Sequence, residues 1–356
     1  MLTIQSRSHP YTVEESASLD EALATASSGS ESFVLADANL LRLYPRAFVP
    51  IAKERLLALT ATEGQKSYEK LPPVFTRLLE SGFRRDWTLV VAGGGVLQDI
   101  GCFVASILFR GAAWTLIPTT LLAQCDSCVG SKSSLNVGSY KNQLGTFYPP
   151  RRILIPFDVL KTLPPDAVRS GVGEMIKLAL IAGPESYETL RARLRRLPGD
   201  PSVVREMVRD TLTLKKGYVE IDELDQGPRN ILNYGHTFGH AYESATAYAI
   251  PHGIAVTLGV LTATHFSEKL GMSPPGSLAT LDADLHAHYA PYERHILGAD
   301  PETILKALSR DKKNAGGQVH CILTRGPGHM EKVPLDPVRQ VRPLMLDFLS
   351  WLGGRH

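Results

Sequence analysis

Short apolar runs closed by Asp, Gly or Pro punctuate the first half of the chain. SFVLAD (32–37), WTLVVAGGG (87–95), AAWTLIPTT (112–120) and RRILIPF (151–157) are rich in Val, Ile and Leu and read as buried strands. Between them, SYEKLPPVFTRLLESGF and VLQDIGCFVASILF carry helical periodicity, so the alternation predicts a parallel sheet built from βαβ units. Near Thr162–Pro165 the pattern changes. PPDAVRSGVGEMIKLALIAG, SYETLRARLRRL, PSVVREMVRDTLTLKKGYVEID, HTFGHAYESATAY and HGIAVTLGVLTATHFSEKLG read as helix after helix, with VHCILTRG (319–326) as a late strand or hairpin. The expected organisation is an α/β domain over residues 1–164 and a helical domain over residues 165–356.

Composition narrows the class. The 356 residues, 44% hydrophobic and 21% charged, suffice for roughly two domains at about 150 residues each. No stretch approaches the ~20 apolar residues of a membrane span, and MLTIQSRSHPYTVEESASLDEA lacks an apolar core followed by a cleavage site, so a cytoplasmic protein without a membrane partner is expected. Lys and Arg total 38 against 36 Asp and Glu, which excludes a polybasic nucleic-acid surface; a charged ligand must be met locally. Four cysteines make no disulfide framework. Cys125 and Cys128 form a C-x-x-C, but Cys102 and Cys321 add no second pair at metal-binding distance, so all read as small packing residues.

Three segments carry chemistry. GGGVLQD, Gly93 to Asp99, follows an apolar strand and opens a helix, where glycines let the backbone approach a pyrophosphate; a tight turn without a ligand has the same pattern. VGSKSSLNVGSYKNQ sets Lys132, Lys141 and Asn142 in a loop-like polar stretch that suits an anion or, equally, solvent. RNILNYGHTFGH offers Arg229, Asn233, His236 and His240; the histidines lie one helical turn apart, without the Glu of H-E-x-x-H. With His252 and with Glu174, which has Lys177 one turn later, two histidines and a carboxylate would form an open zinc set if the fold brought them together, which spacing alone does not establish.

Taken in order, TEGQKS, RDWTLVVAGGGVLQDIGCFVAS, FRGAAWTLIPTTLLAQCDSCVGSK, KNQLGTFYPPRRIL, LKTLPPDAVRSGVGEMIK, NILNYGHTFGHAYE, HGIAV and DKKNAGG resemble the 3-dehydroquinate synthase and sugar phosphate cyclase family from about Glu63 to Lys313. The resemblance implies a Rossmann-like NAD-binding α/β domain followed by an all-α domain, in a homodimer. It implies metal ligands Glu174, His236 and His252 for zinc, with cobalt accepted by the same set. The implied NAD site draws on Asp37, Asn39, Glu63, Lys66, Gly94, Gly95, Asp99, Thr119, Thr120, Asp126, Ser127, Lys141 and Thr162. Phosphate would meet Lys132, Asn142, Arg229, Asn233, Lys312 or Lys313, and Arg110 from a second subunit; Lys177 and Lys215 would contact substrate and His240 would assist proton movement.

The chemistry so implied is redox-neutral overall. A seven-carbon sugar phosphate is oxidised by NAD, loses phosphate by β-elimination, regains hydride, and closes to a carbocycle by an aldol step. Lys215 and Arg229 match the pair that would hold a substrate carboxylate, which favours 3-deoxy-arabino-heptulosonate 7-phosphate and aromatic amino acid biosynthesis. The alternative is a cyclase of secondary metabolism, of the 2-epi-5-epi-valiolone, 2-deoxy-scyllo-inosose or aminodehydroquinate synthase type. Departures from the family pattern are Ser131 in place of a glycine, Ser133 and Ser134 after the loop lysine, and Ile254 in place of the acid of H-G-E. An iron-type alcohol dehydrogenase would leave Lys132, Lys141, Asn142, Arg229 and the DKK of 311–313 without a purpose, and a non-catalytic binder is the third reading.

Overall fold

A computed structural model of the chain describes all residues except 29–30, 139, 198–199, 201, 310–316 and 355–356. Eleven strands run in order among the described residues: β1 Leu2–Ile4, β2 Tyr11–Ser16, β3 Ser32–Asp37, β4 Leu56–Leu59, β5 Thr88–Gly93, β6 Ala113–Pro118, β7 Leu135–Val137, β8 Tyr140–Leu144, β9 Arg152–Pro156, β10 Val319–Thr324 and β11 Met330–Leu335. The helices of the first half are α1 Leu19–Ala26, α2 Ala38–Leu43, α3 Pro45–Phe48, α4 Pro72–Glu80 and α5 Gly95–Ile107. Those of the second are α6 Pro165–Ala182, α7 Pro184–Arg196, α8 Val203–Ile221, α9 His236–Ala245, α10 His252–Lys269, α11 Ser277–Tyr289, α12 Glu293–Leu297, α13 Pro301–Ser309 and α14 Arg342–Gly353.

The chain divides into two compact units, Met1–Pro164 with Lys215–Asp225, and Pro165–Leu214 with Gln226–His356. Residues 215–225, expected with the helical domain, therefore pack with the first unit. In that unit a seven-stranded sheet has the order β1-β2-β9-β6-β5-β3-β4, parallel throughout except for β1 against β2. The four apolar runs form its centre, because strands covered on both faces need no polar alternation. Val34, Ala36, Val90, Ala92, Ile117 and Leu154 join Leu19 and Leu23 of α1 in one buried cluster. Helix α5 packs on β5, where a side chain at Gly101 would meet Val91 Cγ2 at 2.4 Å. The anion-binding loop is a correction to the sequence reading: β7 and β8 pair as an antiparallel ribbon, and Lys141 and Asn142 lie on β8.

The second unit centres on α10, which is buried from Gly253 to Ser267; its buried hydroxyls, Thr257, Thr262, Thr264 and Ser267, donate to carbonyls four residues back, so a helix enclosed by others leaves none of them unmet. Helices α6, α9, α11 and α14 surround it. Among its described residues the unit's strands are those of one hairpin, β10 with β11, where VHCILTRG allowed a late strand. Among the described residues, no helix is long and apolar enough to cross a membrane.

Candidate functional site

In the first unit the chain leaves β3 to pair β4 on one side, then returns to pair β5 on the other. Such a reversal opens a crevice at the carboxyl ends of the strands, where ligands of α/β sheets bind. Asp37 ends β3, and its carboxylate caps α2 by accepting from the Asn39 amide at 3.0 Å. Gly93 ends β5, and α5 starts at Gly95 with no side-chain cap, so its first amides point outward as an anion site would require. A Cβ at Gly94 would stand 2.8 Å from Thr120 Cγ2, which explains the glycine there.

One turn into α5, the half-buried Asp99 anchors a polar network. Lys66 Nζ reaches Asp99 Oδ2 and Asn142 Oδ1 at 3.0 Å each, while the Ser134 amide and hydroxyl each donate to Asp99 at 3.0 Å. Burial pushes the Asp99 carboxyl up, against the pull of Lys66 and Ser134. Glu63 joins through Asn136 Nδ2 at 2.9 Å and Lys141 Nζ at 3.7 Å. Five residues expected at a cofactor or phosphate, Glu63, Lys66, Asp99, Lys141 and Asn142, thus form one connected group. Asn136 belongs to it without having been singled out from the sequence, and so does Ser134, noted there only as a departure from the family pattern; both lie in the segment that read as loop.

The remaining candidates of this unit line other strand ends and turns. The Thr119 amide donates to Gly93 O at 3.0 Å, and Thr120 Oγ1 accepts from the Ala123 amide at 3.2 Å. Asp126 pairs with Lys215, whose Nζ stands 2.9 Å from its carboxylate and 2.6 Å from its carbonyl. Ser127 Oγ donates to Gln98 Oε1 at 2.8 Å, and Thr162 Oγ1 meets Tyr44 OH at 3.0 Å. Lys132 pairs with Asp225 at 2.5 Å and lies over the Phe147 ring. Arg110 is exposed and follows Phe109, both in the left-handed region at φ 62° and 53°. The four cysteines are buried, and burial pushes the Cys128 thiol up to about 12, which suits packing and not redox exchange.

In the second unit, close helix contacts assemble a different group. A Cβ at Gly173 of α6 would lie 2.0 Å from Gly253 O of α10, and one at Gly253 would lie 1.8 Å from Ser170 O. Backbone thereby touches backbone, and the next residue on α6, Glu174, meets the residue before Gly253, His252. Glu174 Oε1 stands 3.2 Å from His252 Nε2 and 3.4 Å from His236 Nε2. Gly235, at φ 78°, turns the chain into α9 and presents His236 at its first position.

The other nitrogen of each ring is engaged. His236 Nδ1 faces Tyr234 O at 3.4 Å, and His252 Nδ1 faces Glu243 Oε2 at 3.2 Å. Both Nε2 atoms are left toward Glu174, the arrangement in which imidazoles bind metal. Glu174 is fully buried; Lys177 Nζ stands 2.6 Å from Oε2, yet neither carboxylate oxygen has a well-aligned hydrogen-bond donor. Ligand atoms about 2.1 Å from a tetrahedral zinc lie about 3.4 Å apart, so the carboxylate and imidazole spacing fits a metal. His240 also belongs to the group: ligand atoms of His236, His240 and His252 lie within 4.8 Å of one another.

Electrostatics agree with this geometry. Burial alone would raise the Glu174 carboxyl, but Lys177 and the two histidines hold it well below the usual range, so it is anionic. Burial keeps His236 neutral. Burial opposes a charge on His252 too, but Glu174 and Glu243 outweigh it and raise its pKa to about 10. Glu243 is the functional candidate that the sequence reading missed; its signal was its place three residues after His240 on a helix. Ile254 leaves no carboxylate after His252-Gly253 and is itself buried, and Glu243 supplies the second carboxylate from α9.

Arg229 is buried and Asn233 donates to Asn230 O at 3.0 Å, both on the short turn Pro228–Asn233. Lys312 and Lys313 lie outside the described residues.

Residues 56–170 match the family described as 3-dehydroquinate synthase N-terminal, and residues 171–314 match 3-dehydroquinate synthase C-terminal. The 3-dehydroquinate synthase of Xanthomonas axonopodis pv. citri (strain 306) is 36% identical over 342 residues, 91% of this chain and 92% of that protein. A crystal structure of 2-deoxy-scyllo-inosose synthase complexed with carbaglucose-6-phosphate, NAD+ and Co2+ shares the fold with a TM-score of 0.86 at 23% identity, covering 98% of this chain and 99% of that one. So does the 2-epi-5-epi-valiolone synthase of Streptomyces hygroscopicus subsp. jinggangensis 5008 with NAD+ and Zn2+ bound, with a TM-score of 0.85 at 24% identity over 100% of this chain and 99% of that one.

Proposed function

The chain belongs to the 3-dehydroquinate synthase family, and on that premise we propose that it cyclises 3-deoxy-arabino-heptulosonate 7-phosphate with elimination of phosphate. NAD is its resident cofactor, and a divalent zinc or cobalt ion is held by Glu174, His236 and His252. The observation that carries this reading is the anionic, buried Glu174, set between two imidazole Nε2 atoms at 3.2 and 3.4 Å. When bound, metal and nucleotide supply Lewis-acid polarisation of a substrate hydroxyl and reversible acceptance of a hydride.

The chain's own residues do the rest. Glu243 fixes the ring of His252, and the Tyr234 carbonyl that of His236. His240 sits against both rings, with centroids 5.3 and 5.7 Å away, close enough to pass a proton to a group bound there. The open amides of α5 and the Asp99 network receive the nucleotide at the strand ends. Lys132, Asn142, Arg229 and Asn233 bind phosphate, and Lys177 contacts substrate. Lys215 and Arg229 hold the carboxylate that separates this substrate from those of the aminocyclitol and valiolone cyclases. Two consecutive left-handed residues expose Arg110, a costly conformation of the kind kept at functional sites, and support its role in the partner of a homodimer.

Phosphate release from 3-deoxy-arabino-heptulosonate 7-phosphate, sedoheptulose 7-phosphate and glucose 6-phosphate, with NAD and zinc, tests the assignment. Turnover of the carboxylate-bearing substrate alone is expected. Turnover of only a sugar phosphate without a carboxylate would place the chain among the other cyclases.

A further inference from the structure

Ser131, directly before the proposed phosphate-binding Lys132, is buried at φ 57°, in the left-handed region that favours glycine. A side chain persists there only if its surroundings hold it. Its hydroxyl lies 2.6 Å from Glu223 Oε1 and 2.8 Å from Gly130 O, so its one proton is shared between a carboxylate and a carbonyl. Glu223 is buried in turn, and it is fixed by the N-terminal segment: Ser6 Oγ donates to Oε1 at 2.7 Å and the Arg7 amide to Oε2 at 2.8 Å. Two residues later, Asp225 pairs with Lys132 Nζ. One stretch, Glu223 to Asp225, therefore grips both the turn and the lysine that follows it.

We propose that Ser131 and Glu223 are positioning residues for Lys132. The buried hydroxyl–carboxylate bond holds the left-handed turn, and the turn sets the direction of the ammonium toward the substrate phosphate. Residues 6–7 are part of the same device, since they hold Glu223 in the orientation that accepts from Ser131. This rests on the reading of Lys132 as a phosphate ligand.

The test compares Ser131→Ala, Ser131→Gly, Glu223→Ala, Glu223→Gln and Lys132→Met in the full-length, NAD- and metal-loaded enzyme. KM and kcat for the heptulose phosphate are measured together with the inhibition constant of inorganic phosphate. Ser131→Ala keeps the backbone penalty and loses the bond, so KM and the inhibition constant should rise about tenfold with kcat nearly unchanged, the effect of one hydrogen bond to a charged group. Ser131→Gly removes the penalty with the bond and should return both constants to within about threefold of the parent. Glu223→Gln keeps an acceptor for Ser131 but turns its NH2 toward the Arg7 amide, so it should fall between the parent and Glu223→Ala, which should match Ser131→Ala. Unchanged constants in Ser131→Ala, or a Ser131→Gly as impaired as Ser131→Ala, would overturn the positioning role. Lys132→Met separates the two layers: it should raise both constants about a hundredfold. If it does not, the phosphate reading of Lys132 fails and the proposal falls with it; if it does while Ser131→Ala is silent, the positioning role alone fails.

Discussion

The two units prepare their candidate sites in opposite ways. In the first, charged groups are matched to one another: Lys66 with Asp99 and Asn142, Lys132 with Asp225, Lys215 with Asp126. In the second, a buried carboxylate and three histidines are crowded together with their metal-binding atoms turned inward. The first arrangement spends its polar groups on holding a shape. The second concentrates negative charge and lone pairs where a cation would satisfy them. The same chemistry of charge thus yields an internally paired site in one place and an unmet set of acceptors in the other, according to whether donors accompany the acceptors.

If the contrast holds, His236→Gln should do the most damage to ligand binding, with metal affinity falling about a thousandfold while the fold survives. Metal content after dialysis, read beside a circular dichroism spectrum, checks both halves; retained metal would break the contrast. Lys66→Met should do the reverse, lowering stability by about 2 kcal/mol because the half-buried Asp99 loses its charged donor and keeps only Ser134. Denaturant unfolding measures that loss, and an unchanged midpoint would show that the network is not structural. Glu243→Gln should weaken metal binding about ten- to a hundredfold, through the orientation of His252, without emptying the protein of structure. Cobalt titration followed by absorbance resolves this effect from that of His236→Gln.

The effect that is smallest per step is one of pH. In the metal-free protein His252 stays protonated up to about 10, above its unfolded value of 6.5. Its contribution to stability is therefore full below pH 6.5 and is lost as pH rises toward 10. Metal must displace that proton, so affinity should climb by about tenfold per pH unit between roughly pH 7 and 9, with about one proton released per ion. Calorimetry in buffers of differing ionisation heat counts the protons. Release of none would mean that His252 is already neutral.

The sequence was most legible where burial is two-sided. SFVLAD and WTLVVAGGG became β3 and β5 nearly as read, because a strand covered on both faces must be apolar throughout. It was least legible at the margins of the sheet. YTVEES alternates between buried and wet positions over only six residues, and LLAL at the outer edge keeps little burial, so neither β2 nor β4 stood out. The ribbon of β7 and β8 was hidden by its Ser, Asn and Gly content, which resembles a loop until cross-strand pairing is known. For the candidate sites, spacing placed His236 and His240 on one helix face but gave no reason for Glu174, over sixty residues earlier, to approach them. The resemblance supplied that grouping. Glu243 and Glu223 escaped notice because each acts through a partner on another segment, and the loss of an acid at Ile254 seemed to leave His252 unsupported when α9 provides the support.

The contact of Gly173 with Gly253 also has a mechanical meaning. Two helices that touch at their backbones can rock about that point like rods about a pivot, and the displacement at any atom grows with its distance from the pivot. Glu174 and His252 each sit one residue from the contact, so the lever arm to the donor atoms is the shortest that the chain permits. Thermal tilting of α6 against α10 is barely amplified there, while the far ends of both helices are free to move more. Precision at the metal-binding atoms is thereby separated from rigidity of the helices as a whole.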